Sequence, residues 1–196
     1  FELAKKGAKE FVKKSKAVKE KNFKFIYCSP YTRCIQTAIE MIKAVKKEIK
    51  YDIKLIIVYN LGESGWFARY VDFDVKDGKL LIKKKEIVDS KMKPDYLEKK
   101  YKNYIHKIIG SDIKDVTYDK ELQTMLKTIT NIEKKEKNSF VIVGHLDTAR
   151  LAYKYFYNDK KIPDWVSGGA DYTNIMMGFS KENNKYNMIY KPNNKF

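Results

Sequence analysis

"FIYCSPYTRCIQTAIEM", residues Phe25 to Met41, is the stretch on which the fold turns. Phe25-Ile26-Tyr27-Cys28 is aromatic and β-branched, with the bulk expected of a strand buried in a sheet. Ser29 is a favoured helix N-cap, and Pro30 suits the first helical position, where a missing N–H costs nothing. Apolar groups then recur at Cys34, Ala38, Met41, Ile42 and Val45, the spacing of one helix face. The stretch predicts a strand, an abrupt turn and a helix. Free N–H groups and the positive dipole end at such a helix start favour an anion. Arg33, within the first turn or so, adds a planar fork for phosphate or carboxylate.

Arg33 stands out because the chain uses lysine almost everywhere else. Arginine occurs only at Arg33, Arg69 and Arg150, and histidine only at His106 and His145. A lysine would serve as a generic surface charge, so an arginine here is expected to have a geometric duty. The net charge of +16 invites a nucleic-acid reading, but the lysines are spread through nearly every segment. No zinc-finger spacing, RNP-like motif or basic-region heptad accompanies them, so no specific nucleic-acid partner is expected. With 196 residues and 43% hydrophobic content, one domain with a substantial core is expected. No run approaches a membrane span. Cys28 and Cys34 form no disulfide framework, which favours a reducing, cytoplasmic compartment. A chain that opens FELAKK without methionine is expected to have lost its start.

Outward from the opening stretch, the pattern alternates. Helices are expected over Glu2 to Glu20, Tyr31 to Ile49, Tyr96 to Ile109, Tyr118 to Glu133 and Asp147 to Tyr157. Strands are expected at Phe23 to Cys28, Lys54 to Tyr59 and Phe140 to Val143. Asp77-Gly78 between apolar runs signals a hairpin. "NIMMGFSKENNKYNMIYK" reads as two strands around a Lys-Glu-Asn-Asn turn, expected to close the sheet. Lys191 to Phe196 should fray. The fold class is α/β, three layers with a mostly parallel central sheet and helices on both faces.

Ligands of open α/β sheets sit beyond the carboxyl ends of the strands. Three strands end there in capable residues: Ser29 and Arg33, then Glu63 after "NLG", then His145 in "FVIVGHLDTAR". Two cationic groups would neutralise phosphate oxygens, and a carboxylic acid could protonate a leaving alkoxide. Alone, His145 would read as a residue capping the next helix, Glu63 as a loop acid, and Arg33 as a partner for a core-edge carboxylate. Arg150 reads as a structural ion-pair partner and Asp147 as a helix cap. His106 reads as an exposed or half-buried helix residue, and the cysteines as packing. No cluster suggests a metal, and no cofactor is implied.

"YCSPYTRCIQTA" followed much later by "VIVGHLDTAR" resembles the histidine phosphatase superfamily, the phosphoglycerate-mutase-like fold. "FELAKKGAKEF" is similar to that family's Leu-Thr-x-x-Gly-x-x-Gln-Ala helix, matching at Leu3 and Gly7, and "LGE" to its acid-bearing loop. The resemblance implies a single domain over 1–196 that lacks its first strand and nucleophile loop, because the family's Arg-His-Gly motif is absent. Further gaps near "KKIPDWVSGGADY" would be hidden in the same way. The resemblance also implies a phosphohistidine mechanism. Arg33 and His145 would bind the phosphoryl group, and Glu63 would be the acid, with Asp147 its rival. "NLGESGW" lacks the Arg and Tyr-Gly of the mutases, while "CSPYTRCIQTA" and "WVSGGADYTN" look more like the phosphatase branch. A hydrolase acting on a phosphoprotein or small phosphomonoester is therefore expected ahead of a phosphoglycerate mutase. A catalytically dead phospholigand-binding domain is the alternative from another class. The physiological substrate and oligomeric state are not legible.

Overall fold

The structure is a computed structural model and describes residues 2–62, 71–76, 79–84, 93–110, 118–136, 139–157, 178–182 and 185–190. The elements run α1 (Glu2–Lys14), α2 (Lys16–Lys19), β1 (Phe25–Cys28), α3 (Thr32–Ile49), β2 (Lys54–Val58), β3 (Val71–Lys76), β4 (Lys79–Lys84), α4 (Pro94–Tyr101), β5 (Ile105–Ile109), α5 (Tyr118–Lys135), β6 (Val141–Val143), α6 (Leu146–Tyr157), β7 (Gly178–Glu182) and β8 (Lys185–Tyr190).

Four strands form a parallel sheet in the order β5-β2-β1-β6. Successive side chains of a strand point to opposite faces, so two separate cores are expected. Ile26, Cys28, Leu55 and Ile57 pack with Phe11 of α1, Ile35 and Ala38 of α3, and Leu97 of α4. Tyr27, Ile56 and Val58 face the other way, onto Met125, Ile129 and Ile132 of α5 and Phe156 of α6. Helices therefore cover both faces, and the three-layer α/β/α architecture stands. Burial on both faces explains why β1 and β2 are nearly continuous apolar runs.

Four expectations need correction. The helix expected over Tyr96 to Ile109 ends at Tyr101, and Ile105–Ile109 is an edge strand pairing with β2. Tyr104, Ile105, Ile108 and Ile109 carry helical spacing, but parallel pairing with Leu55–Val58 outweighs that local pattern. His106 consequently lies on a strand, exposed and stacked on Phe25 with ring centroids 5.0 Å apart. The first helix breaks at Ser15, whose hydroxyl accepts from the Val18 N–H (3.3 Å) and restarts the short α2. The C-terminal strands β7 and β8 form their own two-stranded sheet instead of closing the central one. They dock on α5 and α6 through Phe179 and Tyr186 against Phe156, and through Glu133, which accepts from Tyr186 (2.5 Å) and Lys181 (2.8 Å).

The middle hairpin is present as antiparallel β3 and β4, while its Asp77-Gly78 turn lies outside the described residues. So do Lys191 to Phe196 and the segment "KKIPDWVSGGADY". Among the described residues, no helix is long and apolar enough to cross a membrane.

Candidate active site

Residues that follow two adjacent parallel strands must themselves be neighbours. Cys28 pairs with Val143 at the carboxyl ends of β1 and β6, and the Ser29 N–H extends the ladder by donating to Val143 O at 3.0 Å. Ser29 and His145, far apart in sequence, are thus brought side by side. Ser29 Oγ lies 2.8 Å from His145 Nε2. Arg33 reaches the same ring from the first turn of α3, its guanidinium 2.8 Å from Nδ1.

The proton positions follow from the donor inventory. Arg33 can only donate, so Nδ1 accepts, and the neutral ring carries its hydrogen on Nε2, which donates to Ser29 Oγ. Burial, and then the neighbouring Arg33 charge, push the His145 pKa down from 6.5 to about 3. At neutral pH the imidazole is uncharged. A Ser–His contact of this length resembles a nucleophile with its base, but a base needs an unprotonated Nε2. With Arg33 on Nδ1, Ser29 is not activated.

The cluster grades from buried to exposed. Ser29 is fully buried and His145 is 8% exposed, whereas Arg33 is exposed. Tyr31 braces both, its ring edge-on to the imidazole (centroids 4.8 Å apart, 80° between planes) and lying 4.9 Å from the Arg33 guanidinium carbon. No side chain caps α3, because Tyr31 occupies the N-cap position and Ser29 is turned toward the histidine instead. The expectation that Ser29 caps this helix, with Pro30 opening it, is therefore corrected.

His145 is the N-cap of α6. Its carbonyl accepts from the Ala149 N–H (3.1 Å), and its own N–H donates to Thr148 Oγ1 (3.1 Å), half of a capping box with threonine in the acidic position. The capping role weighed for His145 is thus filled by its backbone while its ring joins the cluster. Asp147 lies inside the first turn, not at the cap, buried and paired with Arg150 at 3.3 Å. The ion pair expected of Arg150 is there.

Gly144 makes the turn between β6 and α6 possible. A Cβ there would stand 2.4 Å from Thr148 Oγ1 and 2.8 Å from Thr148 Cβ. Gly144→Ala must push α6 away from β6, at a cost of about 1–3 kcal/mol for overpacking. We expect a fall in Tm of roughly 2–4 °C for each of those kcal/mol, measured by thermal unfolding.

Glu63 lies outside the described residues; the chain leading to it is followed through a 3₁₀ turn at Tyr59–Leu61 to Gly62. Arg69 lies outside them too. Neither cysteine is in a disulfide and both are buried, as expected of packing residues, yet Cys34 Sγ also sits 3.8 Å from His145 Nε2. That neighbour, the Ser29 contact and the Gly144 constraint were missed by sequence reasoning. The signal was present: Ser29 and Gly144-His145 each directly follow an apolar run, and such runs pair. Among the described residues, no group of three or more His, Cys, Asp or Glu is placed to hold a metal ion. A solvent-facing hollow of about 400 Å³ between Lys46, Lys50, Tyr51, Asp52 and Lys54 lies at the amino end of β2, the opposite end of the sheet.

The fold and cluster define a parallel α/β protein with an arginine–histidine pair at its strand ends, a device suited to oxyanions. Residues 1–56, from α1 into β2, match the family model described as histidine phosphatase superfamily (branch 1). No curated protein matches the chain. Among solved structures, one that is similar is the ecdysone phosphate phosphatase EPPase from Bombix mori in complex with tungstate. It shares 17% identity over 83% of this chain and 56% of its own, with a TM-score of 0.48. The chain therefore spans little more than half the length of that protein. YhfR of Bacillus stearothermophilus shares 15% identity over 96% of this chain and 81% of its own, with a TM-score of 0.47.

Proposed function

We propose that the protein is a phosphomonoester hydrolase that works through a phosphohistidine intermediate on a phosphoprotein or small phosphorylated metabolite. The observation that carries this reading is the convergence of exposed Arg33 on buried His145 beyond the carboxyl ends of β1 and β6. The family match supports it, because Arg33 and Ser29 lie within the matched residues.

In this reading, Arg33 and His145 hold the non-bridging oxygens and stabilise charge as it spreads over them. A histidine nitrogen attacks phosphorus, the ester P–O bond breaks, and Glu63 gives its proton to the leaving oxygen. Water, deprotonated by Glu63, then attacks phosphorus, and the N–P bond breaks to release inorganic phosphate. The nucleophile is neither histidine of these 196 residues. His106 sits at the amino end of the sheet, and His145 is buried with both ring nitrogens engaged. The reading asks for a nucleophilic histidine supplied from beyond them.

The phosphatase is favoured over the mutase because "NLGESGW" keeps Glu63 without the arginine and Tyr-Gly expected after it in a mutase. The natural full-length protein should hydrolyse p-nitrophenyl phosphate and leave a base-stable, acid-labile phosphoenzyme on quenching. Isomerisation of phosphoglycerate without hydrolysis would reassign it as a mutase. Phosphate-ester binding without turnover would make it a non-catalytic phospholigand-binding domain.

A further inference from the structure

The hydroxyl of Ser29 is buried on the Nε2 edge of His145, while exposed Arg33 holds the Nδ1 edge. This arrangement sets a problem for anion binding. With its hydrogen on Nε2, the ring presents a lone pair at Nδ1, the edge an incoming phosphate would meet. Two acceptors facing each other repel. Arg33 can turn from Nδ1 to the anion, since it is exposed and on a flexible side chain, but then Nδ1 must carry a hydrogen to donate as well. A neutral imidazole with hydrogen on Nδ1 has a bare Nε2, and a bare nitrogen buried in the interior needs a donor.

We propose that Ser29 is a positioning residue that serves His145 in both tautomers: it accepts from Nε2–H in the empty site and donates to Nε2 when an anion draws the ring hydrogen to Nδ1. A hydroxyl is suited to this because it is both donor and acceptor and reverses by rotation about one bond. The change is proton-neutral. One proton leaves Nε2 and one arrives at Nδ1, both exchanged with water, and the ring stays uncharged throughout.

The neighbours fit this role. Ser29 Oγ also lies 3.4 Å from the Tyr31 N–H, which fixes its position without occupying its own hydrogen. The backbone of His145 is pinned by Thr148 Oγ1, which itself donates to Met125 Sδ at 3.4 Å, so the ring keeps its place while its hydrogen moves. Cys34 Sγ, 3.8 Å from Nε2, directs its weak donor to Gly144 O (3.5 Å) and so does not replace the hydroxyl. The inference rests on the reading of the site as a phosphate site, and the test separates the two.

The test follows the ring nitrogens of His145 by ¹⁵N NMR in the full chain, alone and titrated with inorganic phosphate. In the wild type the hydrogen should sit on Nε2 without phosphate and on Nδ1 at saturation. Ser29→Ala should bind phosphate roughly tenfold more weakly, the worth of one buried hydrogen bond. Ser29→Thr, which keeps the hydroxyl, should stay within about twofold of wild type, a rescue that a purely structural role does not supply. Phosphate binding with the hydrogen remaining on Nε2, or equal affinities for Ser29→Ala and wild type, would overturn the tautomer exchange and leave the phosphate site standing. No response of Arg33 or His145 to phosphate would overturn both.

Discussion

On the proposed reading, Arg33→Ala is expected to lower kcat/KM for phosphomonoester hydrolysis by about 10²–10³-fold while the chain stays folded, the usual cost of deleting one preorganised donor to a developing oxyanion. The side chain is exposed, so its loss opens no cavity. Arg33→Lys should recover little, because an ammonium cannot place two parallel N–H groups on two phosphate oxygens. The same substitution has a second readout in stability. The pKa of His145 lies near 3 in the folded chain against 6.5 ordinarily, so between those values the unfolded chain binds more protons than the folded one. Its stabilising contribution is complete above pH 6.5 and is lost as pH falls toward 3. Arg33→Ala removes the smaller of the two causes, burial being the larger, so the acid-side loss becomes shallower. Urea midpoints at stepped pH values measure this, and an unchanged slope would separate Arg33 from the histidine.

Glu63→Gln should slow hydrolysis of alkyl phosphates by about 10²–10⁴-fold, the typical worth of one proton transfer. Aryl phosphates with good leaving groups should be slowed far less in the step that expels the alcohol, because they leave without a proton. Pre-steady-state release of p-nitrophenol against an alkyl alcohol makes the comparison. The rival acid is Asp147, which is buried and paired with Arg150 at 3.3 Å just past His145. If the selective loss appears in Asp147→Asn and Glu63→Gln slows both substrate classes equally, the role passes to Asp147. The Asp147 carboxylate is already committed to Arg150 and buried, which is why Glu63 is preferred.

Much of this was legible before any coordinates. The turn from Cys28 through Pro30 into α3 could be read because every local preference there agrees: β-branched bulk, a proline that interrupts, then apolar residues at Cys34, Ala38, Met41, Ile42 and Val45, all of them buried. The arginine and histidine could be singled out because lysine is used elsewhere. What failed was pairing. Ile105–Ile109 has an i, i+3, i+4 pattern that local rules assign to a helix, and its partner β2 lies about fifty residues earlier, beyond the reach of local preference. Ser29 met every criterion for an N-cap, yet its hydroxyl was taken by a histidine 116 residues away. The hairpin β7–β8 was found from its turn, but where a hairpin docks depends on the aromatic faces of Phe156 and Tyr155, not on its own sequence. Glu63 was proposed from a motif and lies outside the described residues.

The span of that Ser29–His145 contact also orders events in time. β1 and β2 are joined by a single helix and can pair as soon as α3 forms, since closing a short loop costs little entropy. β6 must return across the intervening polypeptide to meet β1, a closure that ranks among the slow ones. On a ribosome the N-terminal unit emerges first, with Tyr27, Ile56 and Val58 facing outward until α5 and α6 have been made. That uncovered apolar face is where a nascent chain is most exposed to chaperones or to another copy of itself. The Ser29–Arg33–His145 cluster, by contrast, does not exist until β6 docks, so its assembly reports that the sheet has closed.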